Sequence, residues 1–117
     1  MATALITGIN GFTGRYLAQE LRFAGYSVAG LGDVVEATGE AGEVFCCDLL
    51  DRVHLAGVVS HVMPDVVVHL AGIAFVPNGD ADAIYRTNVV GTRNLLDAVV
   101  KSGCRPRSVL LASSANI

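Results

Sequence analysis

Thr7-Gly8-Ile9-Asn10-Gly11-Phe12-Thr13-Gly14-Arg15 decides the fold. The stretch stands between two patterned runs. Thr3–Thr7 is short, apolar and reads as a strand. In Phe12–Ala24, Leu17, Leu21 and Ala24 recur at helical spacing until Gly25 stops the pattern. Each glycine has a physical task. Gly8 lets the chain turn sharply out of the strand, Gly11 omits a side chain that would block a pyrophosphate, and Gly14 lets the helix pack close to the sheet. The free N–H groups and positive dipole end of that helix then face the phosphates. A glycine triplet alone marks only a tight turn. Directly after the first strand of an alternating pattern, it points to a bound dinucleotide.

Outward from the turn, strands and helices alternate. Ser27–Leu31 reads as a second strand, Val44–Cys47 as a third after a loop rich in Gly and Glu, and Val66–Leu70 as a fourth. Asp51 is a plausible N-cap for a helix through Met63, with Leu55, Val58, Val59 and Val62 on one face. A long helix is expected from about Asp80 to Lys101, ended by Gly103, before a fifth strand at Ser108–Ala112. Such alternation means parallel pairing with right-handed crossovers. The fold class is therefore α/β, a Rossmann-type doubly wound parallel sheet with strand order 3-2-1-4-5. In that order the first helix covers one face and the later two cover the other. One face of strands four and five is then left without a helix, and strand five becomes a bare edge.

Composition bounds the function. The 117 residues suit one domain, and a 52% hydrophobic, 16% charged balance is rich in core and lean in surface cover. A partner subunit or further chain is expected to supply that cover. A net charge of −3 without a basic cluster argues against nucleic acid. No run of about 18 apolar residues exists to span a membrane, and the N-terminus lacks the pattern of a signal peptide. Cys46, Cys47 and Cys104 lack metal-ligand spacing, and adjacent Cys46-Cys47 read as buried reduced thiols, which fits a cytoplasmic protein. His54 and His61 share a helix face without carboxylate or cysteine support, so no metal is expected. His69 reads as a packed strand residue rather than a catalyst.

The glycine spacing is G-x-x-G-x-x-G, which departs from G-x-G-x-x-G. Further stretches accompany it: Asp48-Leu49 after strand three, His69-Leu70-Ala71-Gly72 after strand four, Thr87-Asn88-Val89-Val90-Gly91-Thr92 in the long helix and Ser113-Ser114 after strand five. Together they resemble the extended branch of the short-chain dehydrogenase/reductase superfamily, the NAD-dependent epimerase/dehydratase type that acts on nucleotide sugars. Within it, Pro64 to Gly72 followed by Phe75-Val76-Pro77 looks most like GDP-4-keto-6-deoxy-mannose reductases. The resemblance implies roles. Gly8, Asn10, Gly11, Phe12, Thr13 and Gly14 would bind the cofactor phosphates, Asp48 and Leu49 the adenine. Leu70, Ala71 and Gly72 would lie near the nicotinamide-side ribose, and Asn88 would be a buried polar anchor. Ser113 would lie beside the cofactor and Ser114 would be the catalytic hydroxyl. It also implies a nucleotide-sugar substrate and a homodimer. Blander roles stand beside these: Asp48 as a turn cap, Asn88 facing solvent, the serines as strand-end hydroxyls.

The choice of cofactor falls at the end of strand two, in Leu31-Gly32-Asp33-Val34-Val35-Glu36. Asp33 and Glu36 would repel a 2′-phosphate and no Arg or Lys lies nearby, which favours NAD, with NADP the alternative. The acid position falls at Asp33 or, by the spacing, at Gly32. The Tyr-x-x-x-Lys pair of the superfamily is missing: Tyr16, Tyr26 and Tyr85 are followed four residues on by Glu20, Gly30 and Val89. The chain is thus expected to be the N-terminal, cofactor-binding part of a longer enzyme and inactive alone. A non-catalytic NAD(P)-binding regulatory module stays open as the second class.

Overall fold

In the computed structural model, residues 2–9, 11–32, 43–70 and 86–112 are described. The apolar runs form β1 (Thr3–Thr7), β2 (Ser27–Gly32), β3 (Glu43–Cys46), β4 (Val66–His69) and β5 (Ser108–Leu111). They make one parallel five-stranded sheet ordered β3-β2-β1-β4-β5, as the alternation of patterns requires. Register aligns Leu5 with Ala29 and Val67, and Ile6 with Gly30 and Val68. Successive residues therefore feed opposite faces.

Among the described residues, three α-helices cover those faces. On one side, α1 (Phe12–Phe23) packs Ala18, Leu17 and Leu21 against Ile6, Ile9, Val28 and Val68. On the other, α2 (Arg52–Val62) and α3 (Gly91–Ser102) bury Leu55, Val58, Val59, Leu95, Ala98 and Val99 over Leu5, Ala29, Leu31 and Val67. Asp51 caps α2 by accepting the His54 N–H at 3.2 Å, and the helix ends at Met63 in a left-handed conformation ahead of Pro64.

Two local expectations change. The long helix does not run uniformly: its described part begins with a π-helical turn, Arg86–Val90, before α3. The Thr92 hydroxyl donates to the Asn88 carbonyl at 2.7 Å, a back-bond that competes with regular helical pairing. The cysteine pair also divides. Cys47 is buried with the α2–α3 core, whereas Cys46 is exposed at the sheet edge, because adjacent residues of an extended chain point to opposite faces. Burial beside Asp51 and Asp48 pushes the Cys47 thiol up to about 11. Strand five is open as expected: Val109, Leu110 and Leu111 are 41, 57 and 44% exposed.

Candidate cofactor site

The sheet reverses its winding between β1 and β4, and a ligand crevice opens outside the carboxyl ends of strands at such a point. Thr7 ends β1 there, and Gly8 follows with φ 72°, a left-handed turn that a side chain would strain. The Gly8 and Ile9 N–H groups both donate to the Leu31 carbonyl, at 3.0 and 3.3 Å, which stitches the turn to the end of β2. The Gly11 N–H returns to the Gly8 carbonyl at 3.1 Å, and Gly11 then stands as N-cap of α1 with no side-chain cap and no acid in the first turn. Gly14 is buried; a Cβ there would lie 2.8 Å from the Ile9 Cα and closer still to the Gly8 carbonyl oxygen. The helix start is thereby pressed onto the turn, with its positive end open to an anion. Phe12, 91% exposed, and Thr13 flank that opening.

The turn after β3 forms a second wall. Asp48 is exposed and its Oδ1 accepts the Leu50 N–H at 2.9 Å, so the side chain does cap its own turn. Leu49 is buried, and its carbonyl accepts Asn94 Nδ2 at 2.9 Å. Here the reading of the long helix is corrected. Asn88, expected as the buried anchor, is exposed in the π-helical turn; the buried amide is Asn94. Asn94 falls within the apolar stripe of Gly91, Leu95, Ala98 and Val99, and a polar side chain in such a stripe must find a partner. That was the signal available in the sequence.

The third wall follows β4. The Leu70 N–H donates to Thr7, both to its Oγ1 at 3.1 Å and to its carbonyl at 3.2 Å. His69, 3% exposed, makes two side-chain bonds, with Thr7 Oγ1 at 2.6 Å and with Thr92 Oγ1 at 2.8 Å. Burial lowers its pKa below the ordinary histidine value. Thus Gly8, Gly11, Phe12, Thr13, Gly14, Asp48, Leu49 and Leu70 gather at the carboxyl edge of the sheet, with Asn88 on the turn before α3. Asn10, Asp33, Ala71, Gly72, Ser113 and Ser114 lie outside the described residues. Among the described residues no cluster of three or more His, Cys, Asp or Glu could hold a metal, and no helix is long and apolar enough to cross a membrane.

Known proteins share this arrangement. The chain is 34% identical to the GDP-6-deoxy-D-talose 4-dehydrogenase of Aggregatibacter actinomycetemcomitans, covering 97% of this chain and 35% of that protein. A solved protein of Burkholderia cenocepacia J2315 superposes with a TM-score of 0.88 at 42% identity, over 99% of this chain and 38% of its own. The UDP-glucose 4-epimerase of Brucella ovis, solved in complex with NAD, gives a TM-score of 0.83 at 29% identity, over 98% of this chain and 36% of that one. The chain therefore spans a little over a third of the length of the proteins it matches. The family match runs over residues 4–117, and by it the chain belongs to the NAD dependent epimerase/dehydratase family.

Proposed function

We propose that these residues hold NAD within a longer nucleotide-sugar oxidoreductase that exchanges hydride at the C4 carbon of a GDP-linked 6-deoxy sugar. The observation that carries the reading is the glycine turn: Gly8 left-handed, Gly11 without a cap, and Gly14 leaving no room for a Cβ. Such a cradle fits a pyrophosphate and little else of that size. Bound NAD would supply the hydride acceptor and donor. The chain's own residues would do the holding: the turn from Gly8 to Gly14 at the phosphates, Asp33 at the ribose hydroxyls, Asp48 and Leu49 at the adenine, and Leu70 to Gly72 at the second ribose. Ser113 would sit beside the cofactor, and Ser114 would bond the reacting oxygen.

The sugar assignment rests on the similarity to a GDP-6-deoxy-sugar 4-dehydrogenase. Oxidising that C4 hydroxyl and reducing a 4-keto-6-deoxy sugar are one reaction run in opposite directions, which supports the reductase-like reading of Pro64 to Pro77. A 4-epimerase of a UDP-sugar is the second reading, favoured by the NAD complex of the Brucella ovis enzyme. Cytoplasmic residence and pairing of two copies belong to the same proposal; Val89, Leu96 and Val100, exposed along the helix, support the pairing.

The test is calorimetric titration of the intact protein with NAD and NADP. NAD is expected to bind more tightly, by about five- to a hundredfold, since a 2′-phosphate would meet a carboxylate. Gly11→Val should abolish binding while the protein stays folded. Unchanged NAD affinity in a folded Gly11→Val variant overturns the proposal. Turnover of a GDP-linked 4-keto-6-deoxy sugar against UDP-glucose then separates the two readings.

A further inference from the structure

Two described segments that border the proposed cofactor site come from distant parts of the chain: the glycine turn after β1 and the Asn88 turn before α3. A single buried side chain, His69 at the end of β4, bonds to a residue beside each of them. Its ring meets Thr7 Oγ1 at 2.6 Å through Nδ1 and Thr92 Oγ1 at 2.8 Å through Nε2. Thr7 is the residue before Gly8, and Thr92 lies one turn after Asn88.

Proton counting gives this chain a direction. Thr92 has one hydroxyl proton, and it lies on the Asn88 carbonyl at 2.7 Å. Thr92 Oγ1 must then accept from the histidine, so Nε2 carries the proton. In the neutral ring Nδ1 is left as an acceptor, and the Thr7 hydroxyl donates to it. Thr7 Oγ1 in turn accepts the Leu70 N–H at 3.1 Å. Donation therefore runs one way, from the Leu70 N–H through Thr7, His69 and Thr92 to the Asn88 carbonyl. The opposite tautomer would leave the 2.7 Å contact between Thr92 and Asn88 without a proton whenever Thr92 donated to the ring. An imidazolium would turn the Thr7 proton away from Nδ1. No hydrophobic side chain of the same shape reproduces one acceptor and one donor on opposite sides of a ring.

We infer that His69 is a positioning residue, held as the neutral Nε2–H imidazole at the centre of a one-way hydrogen-bond chain that fixes the Asn88 turn to the glycine turn. Its bearing on cofactor affinity rests on the proposed function; the chain itself does not. Linked hydrogen bonds that run from a buried centre, as at Thr7 and His69, to an exposed end at Asn88 are cooperative, so loss of one link is felt at the others.

The experiment uses the intact protein with nitrogen-15-labelled histidine. At neutral pH His69 is expected to show a pyrrole-type Nε2 and a pyridine-type Nδ1; a protonated Nδ1, alone or in an imidazolium, overturns the inference. Thr92→Val removes the far link and Thr92→Ser restores it. Thr92→Val should shift the Gly8 and Leu70 amide signals and weaken NAD binding about two- to tenfold, the loss of one hydrogen bond, while Thr92→Ser returns both to wild type. Amide signals and affinity unmoved in Thr92→Val overturn the positioning role. A wild-type protein with no affinity for NAD overturns the proposed function instead, and the tautomer and the amide shifts then decide the hydrogen-bond chain on their own.

Discussion

Gly14 has no room for even a methyl group: a Cβ would press on the backbone of Gly8 and Ile9, neither of which can rotate away. Gly14→Ala is therefore expected to destabilise the intact protein by about 1–3 kcal/mol, the range for forced overpacking, and to weaken NAD binding as the turn shifts. Gly11→Ala places its Cβ 3.3 Å from the Gly8 carbonyl oxygen, a tight contact that asks for a small shift of the turn, and should cost less stability than Gly14→Ala. Urea unfolding of the two variants side by side checks this; equal midpoints would mean that α1 can back away from the turn. Both glycines were legible in the sequence because a missing side chain at fixed spacing leaves a visible mark. His69 was half legible. Its place in a continuous apolar strand told that it is packed, but its partners are 62 and 23 residues away and no local pattern records them.

Among the elements, the strands and α2 follow their expected bounds to within a residue or two, because short apolar runs, an Asp cap and a following proline are local signals. The helix after β4 was harder to read. Periodicity runs through Arg86–Val90 without a break, yet the backbone there widens to a π-helical turn, beside which Thr92 bonds back to the Asn88 carbonyl. Asn88 in that turn is exposed, and Asn94 in the regular helix beyond it is buried. Asn94 ties α3 to the wall after β3 through the Leu49 carbonyl, close to where Gly91 lets Leu49 approach. Asn94→Ala should leave that buried carbonyl unpaired and cost about 1–3 kcal/mol of stability. Chemical denaturation measures it; a loss below about 0.5 kcal/mol would show that solvent reaches the Leu49 carbonyl. The Arg52–Asp97 ion pair between α2 and α3 and the Lys101–Asp97 pair within α3 are exposed and add little by comparison.

For the molecule as a whole, the sheet is dressed unevenly. Among the described residues, helices α2 and α3 share one face, while α1 is the one helix on the other and makes its main contacts with β1 and β2. Leu110 stands in register with Val68 on the side of α1, and the outer edge of β5 carries Val109 and Leu111 half exposed. Each large aliphatic side chain left in water forfeits about 1.5–3 kcal/mol, against roughly 5–15 kcal/mol for an entire domain. Residues 1–117 produced alone are expected to aggregate or to unfold without a sharp transition. Sedimentation combined with urea unfolding decides; a soluble monomer with a cooperative transition would show that the uncovered strand is no liability. The overall topology was legible because strand–helix alternation and handed crossovers admit few alternatives. The extent of the open face followed from that topology, not from any single residue.

The Leu31 carbonyl, which takes both the Gly8 and the Ile9 N–H, gives the protein a particular kind of inheritance. In the proposed site, the last residues of β2 are where selection or an engineer would act to trade one dinucleotide for another. Yet any change that tilts that strand end also pulls on the glycine turn proposed to hold the phosphates. Swapping specificity here is then a two-site problem. Substitutions at residues 32 and 33 should fail to add with substitutions at Gly8 or Ile9, and successful switches should arrive in compensating pairs.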